Sequence, residues 1–354
     1  MNLLDRSVLL SICIPTHHGR SEDLRTALES VVSQLTDDLL DEVQVRISDN
    51  ASTDGTAEMV ESYRDRLNGR LVYRRWPTDR GFTENLRAVV EMADGAFCWI
   101  LGSDDTVVDG GVRRVLDLIK RHPHASGATL NRLNVDSAGA RDGWLDPLCA
   151  LPAEPDREHV YESAEAAFAN CAFLQDYISA QVVRRDRFLA ATAALGTGAL
   201  RRAKNFPHVY VIGHMIRTDP FWLWHPTPIV RKTLGTSSVD RESGHRFDRY
   251  QIMVVRQRSK AWADLFGRGT PLWRFVMRRA YRYGADPSSL RYYKSRPNHT
   301  LTGDVLLLLA MTREFYWLRE FWSLSMPALL VPYPLVEPVR ALQARAHGRQ
   351  VQDL

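Results

Sequence analysis

A run of five apolar residues, Phe97–Leu101, leads almost directly into two adjacent carboxylates, Asp104 and Asp105. Short, aromatic-rich and unbroken runs of this kind are typical of strands buried on both faces of a parallel sheet. Ligands bind at the carboxyl ends of such strands, and two like charges there favour a neutralising divalent cation. The alternative is a solvated turn in which Asp105 or Thr106 caps the next helix.

The first third of the chain alternates apolar runs with amphipathic stretches. This alternation predicts parallel strands joined by helices that cover both faces of the sheet. The predicted fold class is therefore α/β, with a Rossmann-like, mainly parallel sheet over residues 8–122, and Pro15 is expected to end the first strand. The predicted strands are Val8–Ile14, Val43–Ile47, Leu71–Arg74 and Phe97–Leu101.

Beyond Pro123 the alternation weakens. Strands are predicted over Ala128–Val135 and Ile178–Val183, and the residues from Arg246 onwards are predicted to be mainly helical. We therefore divide the chain into residues 1–125, residues 126–245 and a C-terminal helical region over residues 246–354.

Cysteine usage and apolar content indicate a cytoplasmic protein. The four cysteines, at positions 13, 98, 149 and 171, show neither paired nor metal-ligand spacing, as expected of buried thiols in a reducing compartment. The N-terminus lacks a signal-peptide profile, and no apolar run reaches about 18 residues. Neither secretion nor a transmembrane helix is predicted.

Positive charge is concentrated in the C-terminal third. Eleven lysines or arginines and two acids lie between Arg256 and Arg296, although the formal net charge of the chain is only +4. Tryptophans and tyrosines alternate with these cations, which favours peripheral attachment to an anionic membrane surface, the inner face of the cell membrane. The alternative is packing, favoured for Phe315–Trp322, or a homo-oligomer formed through the C-terminal helices. Nucleic acid is not expected, because the strand ends are acidic.

Three predicted strands end in polar loops, which are expected to meet at one edge of the sheet. The loops are Pro15–Arg20, Asp49–Thr56 and Gly102–Asp105. The chain has no glycine-rich phosphate-binding motif. A diphosphate bound at this edge would therefore need a metal ion, which Asp104 and Asp105 are suited to hold.

These loops and two further motifs resemble the family 2 glycosyltransferases of the GT-A fold over roughly residues 8–122. The resemblance implies transfer of a sugar from a nucleotide-diphospho-sugar, usually with inversion and with Mn²⁺ or Mg²⁺. It also implies a saccharide acceptor, often lipid-linked, in surface polysaccharide synthesis. The motifs are Ile14-Pro15-Thr16, Asp49–Thr56, Gly81 with Asn85, Ala93-Asp94-Gly95 and Ser103-Asp104-Asp105.

By this resemblance residues 1–125 form the nucleotide-sugar-binding half and residues 126–245 the acceptor-binding half of the domain. Asp105, with Asp104, is assigned to the metal. Gly102 replaces the usual first Asp of the metal motif, which implies fewer protein ligands. The residues predicted to contact the nucleotide sugar are Pro15, Thr16, His17, Asp49, Asn50, Arg80 and Asp104.

A base is needed to activate the acceptor hydroxyl. The family places an acid ahead of an apolar helix in the second half, and here His208 precedes the apolar run. A neutral histidine is a competent base near its ordinary pKa of about 6.5. The alternatives are a structural role for His208, or Asp176 or Asp219 as the base.

Thr236–His245 has the composition of a lid over the diphosphate.

The amide of Asn50 predicts a weak preference for cytosine, because it matches the donor and acceptor on that base edge.

Two other enzyme or binding classes remain open. A sugar-nucleotide pyrophosphorylase would need a glycine-rich first loop, whereas Pro15–Arg20 has one glycine. A regulatory receiver-like domain would place acids where His17 and His18 stand. A non-catalytic scaffold of the same fold is the third alternative.

Overall fold

The computed structural model describes residues 8–135, 152, 154–233, 247–285, 287, 290 and 300–330. Nine strands of these segments form one sheet. They are β1 (Leu10–His17), β2 (Val43–Asn50), β3 (Leu71–Arg75), β4 (Phe97–Ile100), β5 (Asp105–Val107), β6 (Gly127–Val135), β7 (His159–Tyr161), β8 (Gln181–Arg184) and β9 (Trp222–Thr233).

Helices connect the strands and make up most of the described C-terminal region, as predicted. They are α1 (Ser21–Val32), α2 (Asp37–Leu40), α3 (Thr56–Glu61), α4 (Gly81–Glu91), α5 (Gly111–Arg121), α6 (Ala164–Cys171), α7 (Arg185–Arg202), α8 (Pro207–Thr218), α9 (Phe247–Phe266), α10 (Pro271–Gly284), α11 (Leu301–Phe315) and α12 (Met326–Leu330). A π-helical turn, Phe321–Ser325, precedes α12.

The sheet has the order β3-β2-β1-β4-β8-β6-β9-β5, and β7 pairs with β9. The pairs β1–β2, β1–β4, β2–β3 and β6–β9 are parallel. Strand β8 runs antiparallel to both β4 and β6, and β5 and β7 run antiparallel to β9. The predicted α/β class with a mainly parallel sheet is therefore confirmed, and one sheet continues through both predicted halves.

The expectation that Pro15 ends the first strand was wrong. Strand β1 continues to His17, and Pro15 is paired with Ser48 of β2. The backbone oxygen of Cys13 faces β4, where it accepts a hydrogen bond from Leu101 N. Pro15 faces the same side two residues later, beyond the end of β4, so its missing N–H removes no bond to that strand.

The segment after the acid pair also differs from its simplest interpretation. Asp105 caps no helix, because it begins β5, which pairs with β9, and the next helix begins at Gly111. In the second half, the predicted strand Ile178–Val183 starts later, since Ile178–Ala180 is a 3₁₀ turn and β8 covers Gln181–Arg184. The apolar segment around His208 is helix α8.

Two apolar cores lie against the sheet. One is formed by β1, β2, α1, α3 and α5, and the other by α4, α6, α7, α8 and the C-terminal helices. Phe315 and Phe321 are fully buried in the second core, which confirms packing for this part of Phe315–Trp322. Trp273 and Tyr281 are buried there too, so these aromatic residues of the basic region are unavailable to a membrane.

The three cysteines within the described segments, Cys13, Cys98 and Cys171, are buried free thiols. Cys149 lies outside the described residues. Among the helices of the described segments, none combines the length and the apolar character needed to cross a bilayer.

We expect Gly127→Ala to destabilise the fold. Gly127 lies opposite Trp222 in the β6–β9 ladder, and a β-carbon there would come within 2.4 Å of the Trp222 ring and 2.6 Å of Val182 O. Such overpacking costs about 1–3 kcal/mol, measurable by chemical denaturation. The control is Gly198→Ala in α7, where the nearest atom is 3.6 Å away. Equal unfolding midpoints for the two variants would contradict this account.

Candidate active site

A cavity of about 540 Å³ opens at the carboxyl ends of β1, β2 and β4. The predicted loops around Pro15, Asn50 and Asp104 line one side of it. The other side comes from the second half of the chain and from α9, through side chains such as Arg132, Lys232 and Arg258. The predicted meeting of the strand-end loops at one edge is thus observed, and a second wall encloses it.

Asp104 and Asp105 lie side by side in this cavity, but in different surroundings. Asp105 is only 4% exposed, and its Oδ2 accepts a hydrogen bond from Ser179 Oγ at 2.5 Å. Burial, followed by the nearby charge of Asp104, raises the pKa of Asp105 to about 7. Asp104 is 18% exposed at its side chain, and Arg20 Nη1 lies 3.4 Å from its Oδ2.

The acid pair fits a hard divalent cation. A β-carbon built on Gly102 would lie 3.1 Å from both Asp104 Oδ1 and Asp105 Oδ2 and 3.0 Å from Ser179 Oγ, so three oxygens converge there. A cation would relieve the unfavourable charge of the buried pair. Among the described residues no cluster of three or more histidines, cysteines or acids is present, and diphosphate and water oxygens are also suitable ligands for such a cation.

The first strand-end loop is held by a hydrogen-bond chain. Pro15, Thr16 and His17 all line the cavity. Asn85 Nδ2 donates to Thr16 O at 2.9 Å, and Asn85 Oδ1 accepts from Ser48 Oγ at 2.6 Å. Asn85, on α4, therefore fixes this loop beside the cavity.

Asp49 and Arg80 lie outside the cavity lining. Asp49 is fully buried, and its carboxylate accepts hydrogen bonds from Ser52 Oγ and Tyr73 Oη, both at 2.5 Å. The Arg80 guanidinium lies 4.1 Å from the ring centroid of Trp76. The structure therefore gives both residues partners within the chain.

Asn50 does line the cavity, but its amide is engaged within the chain. Nδ2 donates to Asp79, and Oδ1 accepts from Arg80 N at 2.7 Å. The Asp79 carboxylate also accepts from Gly81 N. Asn50 thus ties the end of β2 to the turn that begins α4.

His208 is the second residue of α8 and is 2% exposed at the edge of the cavity. Its Nε2 lies 3.1 Å from Asp176 O, which assigns the ring proton to Nε2. Nδ1 is then an acceptor, and none of the described residues forms a hydrogen bond with it. Burial lowers the pKa of His208 to about 3, so the imidazole is neutral at ordinary pH.

The two alternative bases differ in position. Asp176 lines the cavity and forms an ion pair with Arg258. Asp219 follows the C-terminal end of α8 and lies 3.3 Å from Arg187, away from the cavity. The predicted lid, Thr236–His245, lies outside the described residues.

Several cavity residues had not been singled out from the sequence. In the sequence Arg20 is only the last residue of the Pro15–Arg20 loop. In the structure it is 3% exposed and lies between Asp23 and Asp104. Arg132 and Lys232 come from strands of the second half, where no motif marks them. Their distance along the chain from the first-half motifs is the reason that the sequence alone does not mark them.

Residues 11–163 match the sequence model of the family described as "Glycosyl transferase family 2". The chain is 30% identical over 217 residues to abequosyltransferase RfbV of Salmonella typhimurium (strain LT2), an alignment that covers 60% of this chain. It spans 62% of that relative, which is less than two thirds of its length.

Two solved structures are similar over most of this chain. S. aureus TarS 1–349 in complex with UDP matches with a TM-score of 0.53 and 14% identity, covering 98% of this chain and 93% of that one. Mannosyltransferase PcManGT from Pyrobaculum calidifontis, in complex with GDP-Man and Mn²⁺, matches with a TM-score of 0.52 and 13% identity, covering 92% and 86%. At these identities the likeness concerns the fold, and it confirms the predicted GT-A fold.

We expect His208 to make the protein less stable in acid. Its pKa is about 3 when folded and about 6.5 when unfolded, so between these values the unfolded chain binds one more proton. Stability therefore falls on acidification below about pH 6.5, by about 1.4 kcal/mol per pH unit.

Chemical denaturation between about pH 6 and pH 4 measures this contribution, as the difference between wild type and His208→Gln. His208→Leu should give the same slope with a different absolute stability, because both variants lack the imidazole. Parallel profiles of wild type and both variants would contradict the burial of a neutral ring.

Proposed function

We propose that this chain, of which residues 11–163 match the model of glycosyl transferase family 2, transfers a sugar from a nucleotide-diphospho-sugar to a saccharide acceptor in polysaccharide synthesis. We further propose that the reaction is metal-dependent and inverts the anomeric centre. The observation that carries the proposal is the buried Asp104–Asp105 pair facing a cavity that also holds cationic side chains. Acids for a cation and cations for phosphate are the groups that this donor requires.

We assign residues 1–125 to the nucleotide sugar and residues 126–245 to the acceptor. Pro15, Thr16 and His17 would border the nucleoside, since they line the cavity. Asn50 lines it too, and Asp49 and Arg80 would shape this part of the cavity through their contacts within the chain. The preference of Asn50 for cytosine stays a prediction, to be read from the affinities of CDP, UDP and TDP.

Asp104 and Asp105 are the residues proposed to hold Mn²⁺ or Mg²⁺. When bound, such an ion stabilises the negative charge that develops on the departing diphosphate. Arg20, directly before α1, holds Asp104 in place, and Ser179 does the same for Asp105. These contacts keep both carboxylates directed at one point, which preorganises the site.

His208 is the proposed acceptor of the proton from the attacking hydroxyl. No hydrogen-bond donor among the described residues contacts its Nδ1 lone pair, and the hydrogen bond from Nε2 to Asp176 O fixes the ring. Burial lowers the pKa of His208 to about 3, which keeps the ring neutral at ordinary pH but makes it a weaker base than a histidine of ordinary pKa. Attack from the face opposite the diphosphate inverts the anomeric carbon. Asp176 remains the second candidate, as it lines the same cavity.

We propose that α11 places the protein on a membrane that carries a lipid-linked acceptor. One exposed face of this helix carries large apolar side chains, including Leu301, which is 77% exposed, and Leu309, which is 63% exposed. Val305, Leu306 and Tyr316 complete that face. Contiguous exposed apolar surface of this kind is typical of interaction sites.

The charge around that face favours an anionic surface over a second copy of the chain. Arg274, Arg278 and Arg282 are exposed along α10, and the Arg274 guanidinium lies 5.9 Å from the ring of Trp317 at the end of α11. Cations that border an apolar helix face are suited to anionic lipid headgroups. A self-association through the same face would bring these arginines together.

The function is tested by donor turnover. Nucleotide sugars are screened for thermal stabilisation and transfer, with Mn²⁺ or with EDTA. We expect Asp105→Asn to lower transfer by a factor on the order of 10²–10³ or more, and Asp104→Asn by less, because the donor loses the groups that bind its diphosphate.

The control is Asp109→Asn, which removes an exposed carboxylate from the same segment and should leave transfer unchanged. Full transfer by Asp105→Asn, or full transfer in EDTA, would refute the metal assignment. Wild type that turns over no nucleotide sugar would favour the non-catalytic scaffold. His208→Ala and Asp176→Ala in the same assay identify the base, as the variant that loses turnover with donor affinity retained.

Membrane attachment is tested by co-sedimentation with vesicles of phosphatidylglycerol and phosphatidylcholine. We expect Leu309→Glu to lower the partition coefficient about tenfold or more, because it removes a leucine that would insert into the bilayer and adds a negative charge. Val72→Glu changes an exposed apolar residue on β3 and serves as the matched control. High salt should weaken binding. Equal binding to neutral and anionic vesicles would argue against the proposal.

A further inference from the structure

Two cations in the cavity have surroundings unlike those of the others. Arg20 is paired with Asp23 and Asp104, and Arg258 with Asp176. Arg132 and Lys232 form no ion pair within 4.0 Å among the described residues. Arg132 is nevertheless only 7% exposed. A buried guanidinium without a carboxylate is unfavourable, so an anionic ligand is the expected partner.

Both cations form cation–π contacts with the same aromatic ring. The Arg132 guanidinium lies 4.8 Å from the ring centroid of Tyr177, and Lys232 Nζ lies 5.3 Å from it. Cation–π contacts of this kind offset part of the desolvation cost and fix both side chains. They leave the hydrogen-bond donors of the two cations available.

One hydrogen bond orients the guanidinium group of Arg132. Its Nε donates to Asn134 Oδ1 at 3.3 Å, and within the described part of the chain this is its one side-chain hydrogen bond. Both terminal nitrogens therefore remain for bidentate binding of a phosphate.

Strand register places the two cations on the same side of the sheet. Arg132 of β6 is paired with Val230 of β9, and Lys232, two residues further along β9, faces the same side. On the other side of β9, Lys232 is paired with Asp105 of β5. Lys232 thus stands between the acid pair and Arg132, and because both cations contact the Tyr177 ring they lie close enough together to bind one diphosphate.

We propose that Arg132 and Lys232 form a diphosphate-binding site beside the acid pair. The proposal rests on the proposed function, which supplies two sources of this group: the donor nucleotide sugar and a lipid-linked acceptor. Arg132, Lys232 and their strands belong to residues 126–245, the half assigned to the acceptor. The same chemistry would serve either ligand, so the experiment separates the two.

The test is calorimetric binding of inorganic pyrophosphate in EDTA. Arg132→Gln and Lys232→Gln should each raise the dissociation constant on the order of 10–100-fold, since each removes charge-assisted hydrogen bonds. Arg231→Gln is the matched control, because it neutralises the exposed neighbour of Lys232 on the same strand and should leave the constant unchanged. Thermal midpoints show whether Arg132→Gln folds, and Lys232→Gln suffices if it does not.

Three further ligands identify the source. Weaker binding of CDP and UDP by the variants assigns the site to the donor, whereas weaker binding of farnesyl diphosphate alone assigns it to the acceptor. Wild type that does not bind pyrophosphate, or variants that bind all four ligands like wild type, would overturn the site. This result is independent of turnover, so it is distinguishable from a failure of the proposed function, in which no nucleotide sugar is used.

Discussion

The electrostatics of Asp104 and Asp105 constrain the whole cavity. Two adjacent carboxylates at the end of a buried strand repel each other and resist desolvation, which is why the pKa of Asp105 rises to about 7. The fold offsets this cost from several elements at once. Arg20 comes from the loop between β1 and α1, Ser179 from the turn before β8, and Lys232 from β9. Polar groups distant in sequence are therefore needed to keep this pair in place.

The second half of the chain completes the site by extending the sheet. Strand β8 runs antiparallel between β4 and β6, and the turn that precedes it brings Ser179 and Tyr177 beneath the acid pair. Helix α8 then directs its first turn, with His208, at the same cavity. The edge proposed to bind the donor and the wall proposed to bind the acceptor thus belong to one continuous sheet, and their spacing is fixed by its hydrogen bonds.

The C-terminal helices combine packing with an exposed face. Their large aromatic residues Trp262, Trp273 and Phe315 are buried in the core beneath the sheet. Helix α9 also contributes Arg258, which neutralises Asp176 in the cavity. The exposed side of α11 instead carries large apolar side chains, the face proposed to attach to a membrane.

Local sequence determined the strand–helix alternation, the meeting of three loops at one edge and the place of Asp104 and Asp105, because periodicity and strand ends are short-range properties. Only the tertiary structure decided that Pro15 continues β1, since this depends on where the neighbouring strand ends. The convergence of Arg132 and Lys232 on Tyr177 likewise follows from strand register over long sequence separations. The neutral state of His208 follows from burial, which no pattern of neighbouring residues specifies.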